Sequence, residues 1–142
     1  MTKNKKRKIF KAQDVEKRLR DAGLRPTRQR VALATLLGDT HRHISAESLH
    51  AEARKTGVEV VLATVYNTLH QFTQAGLLRE VAVDSQRSYF DTNTGAHHHF
   101  FCEDDGSLID IPGEAVQVAR VPQPPKGMAV DRVDVVVRVK RA

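Results

Sequence analysis

The sequence predicts an α/β chain, strictly α+β, in two parts: a winged helix-turn-helix followed by a strand-rich module. Three observations predict it. Residues up to Gln74 contain four stretches with apolar side chains at helical spacing. From Leu77 onward the pattern changes to short apolar runs separated by turns. Charge divides unevenly as well. Residues 1–30 hold 12 Lys/Arg and 3 Asp/Glu, a net of +9, and the rest of the chain nets −3.

Residues 1–10 read as a flexible basic tail whose lysines are free to meet phosphates. Ala12 to Ala22 reads as the first helix, with Val15, Leu19 and Ala22 in register and Gly23 as its stop. After Leu24-Arg25-Pro26, Thr27 is a good N-cap for a helix over Arg28 to Leu37, burying Val31, Ala34 and either Leu33 or Leu37. A polar loop follows, and Ser45 caps a third helix, Ala46 to Lys55, ended by Gly57. The fourth helix spans about Leu62 to Ala75. At 100° per residue, Leu62, Val65, Leu69, Phe72 and Thr73 make its buried stripe. Ala63, Asn67, His70, Gln71 and Gln74 lie opposite, with Tyr66 at the border. That outer face is polar and almost uncharged, whereas a merely solvated face usually carries more Lys and Glu. Asn and Gln can pair with adenine edges, and small side chains can pack on thymine methyls.

Leu77 to Val83 and Arg87 to Phe90 read as two strands about a turn at Asp84-Ser85-Gln86. A helix pair followed by a hairpin is the winged variant of helix-turn-helix, and Arg87 at its tip is placed to touch a phosphate. The DNA-reading domain therefore covers 11–91, a polar hinge covers 92–96, and a dimerisation and sensing domain covers 97–142. In the latter, His97 to Cys102 is a strand, Glu103-Asp104-Asp105-Gly106 a tight acidic turn, and Leu108 to Ile111 the returning strand. Val116 to Val121 is a candidate strand. Val130 to Lys140 is the last one, and its run Val135-Val136-Val137 suits a strand buried on both faces at a dimer interface.

The composition excludes several classes. No apolar run approaches the ~20 residues of a membrane-spanning helix, and the basic start has no apolar segment of a secretory signal. Cys102 is the one cysteine, which excludes an internal disulfide and any four-cysteine zinc site and fits a reducing, cytoplasmic setting. The basic N-terminal segment is an electrostatic footprint for nucleic acid, in which Arg25, Arg28 and Arg30 lie within helix-patterned sequence. Residues 97–114 carry five acids and no Lys or Arg, and so repel DNA.

The stretch His97-His98-His99 carries the chemistry. In an extended backbone, residues i and i+2 face the same side. His97 and His99 then converge, and His98 points away. The bland reading of an isolated HHH is a polar turn with three unrelated imidazoles. Asp91, Asp110 and His43 shift the balance, because two or three histidines with one or two carboxylates suit Fe(II), Mn(II) or Zn(II).

GLRPTRQR, HISAESLH, LATVYNTLHQFTQAGLL and SYFDTN followed by HHHFFCEDDGSLIDI resemble the ferric uptake regulator family over roughly residues 12–111. Within it the chain looks most like the iron response regulator branch, whose members carry an HHH stretch and sense haem. The resemblance implies a cytoplasmic homodimer on AT-rich operator DNA. It places Ala63, Thr64, Tyr66 and Asn67 in the major groove and Arg25 near the minor groove. It implies a regulatory metal held by His43, Asp91, His97, His99 and Asp110, with Fe(II) or Mn(II) as the metal and Zn(II) able to replace it in vitro. Several features depart from the family pattern, two of them at single positions. Cys102 is followed by Asp105 where a second cysteine would hold structural zinc, and Val61 replaces a usual Ser cap before LATVY, removing about 1 kcal/mol.

Three functions follow. The first is a haem-responsive repressor, in which haem at His97, His98 and His99 displaces the metal and releases DNA. The second is a regulator answering to Fe(II) or Mn(II) alone, or to peroxide, which Asp91 in place of Glu favours. The third, a metallohydrolase, needs an open coordination position and a free general base. The acids in reach are consumed as ligands, so the chain reads as a regulator and not an enzyme.

Overall fold

The computed structural model describes residues 14–38, 40–84 and 86–142. The basic tail, the start of the first helix, Asp39 and Ser85 lie outside those residues. The chain divides into two compact units, the first ending at Thr94 and the second spanning Gly95–Ala142.

In the first unit, α1 covers Val15–Asp21, α2 Arg28–Leu37, α3 Ala46–Lys55 and α4 Leu62–Gln74. The local signals act as their chemistry demands. The Thr27 hydroxyl accepts from the Arg30 N–H, and the Ser45 hydroxyl accepts from the Ser48 N–H. Each cap satisfies one of the amides that a helix start leaves without a partner. Gly76, at φ +80°, lets the Leu77 N–H reach back to the Phe72 carbonyl at 2.9 Å and turns the chain towards the wing. α4 starts at Val61 with no side-chain cap, as that residue predicts.

One core holds the four helices together. Val15 and Leu19, Leu33, Ala34 and Leu37, Leu49 and Ala53, and Val65, Leu69 and Phe72 are buried, and Phe90 joins them from the wing. Each large side chain here contributes roughly 1.5–3 kcal/mol by burial. Two readings of these stripes need correcting. Leu33 and Leu37 are both buried while Val31 is half-exposed, and Thr68 takes the place expected for Thr73 on α4. A helical wheel gives a sector, and the neighbours α2 and α3 decide where its edges fall.

The wing is a three-stranded antiparallel sheet of order β1-β3-β2, with β1 at His43–Ile44, β2 at Arg79–Ala82 and β3 at Ser88–Asp91. β1 is absent from the sequence reading because two residues carry no periodicity. β2 is shorter than Leu77 to Val83, because Leu77 and Leu78 serve the helix C-terminus and the core.

In the second unit, β4 (His97–Cys102) pairs antiparallel with β5 (Leu108–Pro112) and parallel with β6 (Val136–Val139). A short 3-10 turn, Gly113–Ala115, follows β5. Residues 116–121 form no strand among the described residues. Alternating valines supply β propensity, but a strand also needs a hydrogen-bonded neighbour. The final strand is four residues long rather than eleven. It pairs with β4 along one edge, and Val137 is 37% exposed in the single chain.

Candidate metal centre and nucleic-acid face

The β4–β5 hairpin builds three donors from its own register. His99 lies directly opposite Asp110, and His97 sits two residues before His99 on the same strand face. Burial alternates along β4, with His97, His99 and Phe101 buried. The imidazole Nε2 atoms of His97 and His99 lie 3.6 and 3.4 Å from one Asp110 carboxylate oxygen. The two rings meet edge-on with centroids 4.5 Å apart. His98 stands on the opposite face, where its Nδ1 accepts the Val135 N–H at 3.1 Å.

A second pair forms in the first unit. β1 and β3 set His43 and Asp91 as direct cross-strand partners, with His43 Nε2 3.2 Å from an Asp91 oxygen. Asp91 is buried, and its other oxygen accepts the Asn93 N–H at 2.8 Å. The pair is held by residues that carried no signal in the sequence. The buried Thr92 hydroxyl accepts the Arg42 N–H at 2.9 Å, and the Arg42 carbonyl accepts the Thr92 N–H at 3.1 Å. Arg42 in turn grips Glu52 of α3 through a 2.6 Å ion pair.

The donor chemistry fits a divalent transition metal. His97 Nδ1 lies 2.6 Å from the Gly95 carbonyl, an acceptor, so Nδ1 carries the proton and Nε2 presents its lone pair. Metal-bound histidines are typically fixed in this way through the other ring nitrogen. Nε2 faces an Asp110 oxygen at 3.6 Å. Imidazole with carboxylate matches Fe(II), Mn(II) and Zn(II).

The residues expected to form a nucleic-acid face lie in the first unit. Arg25, Arg28, Ala63, Tyr66 and Asn67 are exposed, and Thr64 is half-buried. Gln71 does not belong to the exposed face. Its side-chain oxygen accepts two hydrogen bonds from the Arg30 guanidinium, at 3.3 and 3.1 Å, while the same guanidinium donates to the Arg25 carbonyl at 2.9 Å. Arg30 thus braces α2 against α4. Arg87 at the wing is chelated by Asp84 through contacts of 2.8 and 2.6 Å, and that pairing holds the Asp84 carboxyl down to about 2.

The model of the ferric uptake regulator family matches residues 21–136. The peroxide-responsive repressor PerR of Staphylococcus aureus is 35% identical over 93 residues, which cover 66% of this chain and 63% of that protein. The match therefore spans less than two thirds of the length of these curated relatives. The ferric uptake regulator from Pseudomonas aeruginosa, solved with manganese, shares 31% identity and a TM-score of 0.65, over 89% of this chain and 97% of that one. The Vibrio cholerae ferric uptake regulator shares 28% identity with a TM-score of 0.66, over 89% and 98% of the two chains. Members of this family are transcription regulators and not enzymes. The helices, wing and strand-rich second unit reproduce that fold, and the chain belongs to the ferric uptake regulator family.

Proposed function

We propose that this chain is a metal-responsive, DNA-binding transcriptional repressor. The observation that supports it best is the convergence of His97, His99 and Asp110 on one hairpin, in a chain that also folds a winged helix. As the family resemblance implies, His43, Asp91, His97, His99 and Asp110 are the ligands for regulatory Fe(II) or Mn(II), with Zn(II) as a substitute in vitro. The ion supplies positive charge that compensates the two carboxylates. His97 and His99 offer Nε2, and Gly95 and Thr92 keep the ligands oriented. Residues 11–91 read operator DNA, 92–96 act as a hinge, and 97–142 sense the ligand and form a homodimer in the cytoplasm. The acidic 97–114 segment stays off DNA. Because metal binding favours one arrangement of the chain only through differential affinity, DNA affinity rises with metal occupancy.

The finer signal we propose is haem, which the HHH stretch and the likeness to the iron response regulator branch support. Haem takes histidines of the 97–99 run and removes them from the metal. His98 has to leave Val135 to take part. A second reading, peroxide response, is favoured by Asp91 and by the named peroxide-responsive relatives.

One experiment separates them. A duplex is selected with the metal-loaded chain from a random-sequence pool, and its binding is followed by fluorescence anisotropy. Removal of Mn(II) with a chelator should abolish binding. Haem is then titrated while the Soret band is followed, and in a separate arm the Fe(II) form receives peroxide. Release with a stoichiometric histidine-ligated haem spectrum supports the haem signal. Release with an oxygen added to His43, His97 or His99, seen by mass spectrometry, supports peroxide. Binding indifferent to metal sinks the metalloregulator reading.

A further inference from the structure

We propose that Glu47 is a positioning residue for base readout: it fixes Tyr66, and through Tyr66 it sets sequence discrimination without itself touching a base. This rests on the DNA-binding reading above. The Tyr66 hydroxyl donates to the Glu47 Oε1 at 2.5 Å, across the contact between α3 and α4. The ring is also held from behind, lying near-parallel to His70 one turn on, with centroids 6.4 Å apart and an interplanar angle of 19°. His70 in turn packs edge-on against the buried Phe90 of the wing at 5.4 Å. An exposed tyrosine is thereby pinned at both ends.

Glu47 is itself held well. It lies in the first turn of α3, next to the Ser45 cap, where the helix dipole favours a carboxylate. Its charge is otherwise hard to justify on a face that meets phosphates, because a carboxylate there weakens binding to any DNA. The geometry supplies the compensation. With its proton committed to Glu47, the Tyr66 hydroxyl keeps only acceptor capacity. The carboxylate contact pushes the Tyr66 phenol above its ordinary value, so it stays protonated. The ring, 36% exposed, is therefore presented in one orientation, with donor chemistry removed from its tip. Freed from Glu47, the phenol can turn and donate to any phosphate, which binds DNA without discriminating sequence.

The test is a double-mutant cycle with the full chain, Mn(II) present. The probes are a duplex selected by the wild-type chain from a random pool and a scrambled duplex of the same composition. Glu47→Ala should raise affinity for the scrambled duplex and lower the ratio of selected to scrambled binding by about threefold to tenfold, as expected for one partly exposed charged hydrogen bond. Glu47→Gln, which keeps an acceptor for the phenol, should restore part of that ratio. In a Tyr66→Phe background Glu47→Ala should no longer change the ratio. Equal effects in both backgrounds would show that Glu47 acts only as a charge and overturn the proposal. A pool that yields no enriched duplex with wild-type protein would instead overturn the DNA-binding reading itself.

Discussion

The two groups of candidate ligands are built by opposite means. His97, His99 and Asp110 come from one hairpin, whose six-residue strand and tight turn fix their register locally. His43 and Asp91 lie far apart in sequence and meet because a two-residue strand is held against β3. The first group needs only alternation and a turn. The second needs Thr92, Arg42 and Glu52 to hold the loop. Removing a ligand should therefore act differently from removing a support, and the contrast between the groups is testable.

The largest effect should come from the hairpin. His97→Ala with His99→Ala should weaken Mn(II) binding by at least about 100-fold in calorimetry, beyond the 10–100-fold typical of losing an outer partner. Far-UV circular dichroism should stay unchanged, because α1 to α4 do not rely on this strand. Retained metal affinity would show that the hairpin is not the sensor. Thr92→Val should act on the other group alone. Losing a buried hydroxyl that serves Arg42 and Thr40 should cost about 1–3 kcal/mol of stability. It should also lower metal affinity about tenfold; a stability loss with unchanged affinity would mean that His43 and Asp91 hold no metal.

Smaller effects are expected on the proposed DNA face, which supplies no metal ligand. Asn67→Ala should cost about 1–3 kcal/mol on selected DNA and little on scrambled DNA, while metal affinity stays unchanged. Arg25→Ala should weaken both duplexes and reduce the salt slope by about 1. An unchanged slope would take Arg25 off the phosphates.

The smallest effect is confined to the wing tip. Asp84 is held to about 2 by Arg87, below its ordinary 3.8. A lowered carboxyl contributes above the unfolded value and loses that contribution as pH falls towards about 2. The group is exposed, so the pairing should appear as a titration midpoint rather than as global stability. Arg87→Ala should move the Asp84 midpoint in an NMR titration back up towards 3.8, and an unmoved midpoint would mean that the contact does not persist in solution.

Much of the fold was legible because its signals are local. Thr27 and Ser45 as caps, the glycines after α1, α3 and α4, and the span of β4 follow from side chains acting within a turn or two of themselves. The misreadings occurred where partners are distant. β1 has no pattern of its own and exists through pairing with β3. Residues 116–121 have strand-like composition but no strand neighbour among the described residues. Gln71 belongs to the outer sector of α4 by angle, but Arg30, forty-one positions away, engages it.

By itself, the sequence determined the helices, the wing hairpin, the alternation that pairs His97 with His99, and the family motifs, because each is set by contacts between near neighbours. Only the tertiary structure decided that His43 faces Asp91, that Gly95 fixes the His97 proton, that Thr92 and Arg42 brace the loop, and that Glu47 holds Tyr66. Those arrangements depend on backbone groups and on residues brought together by packing, and one-dimensional spacing carries no record of either.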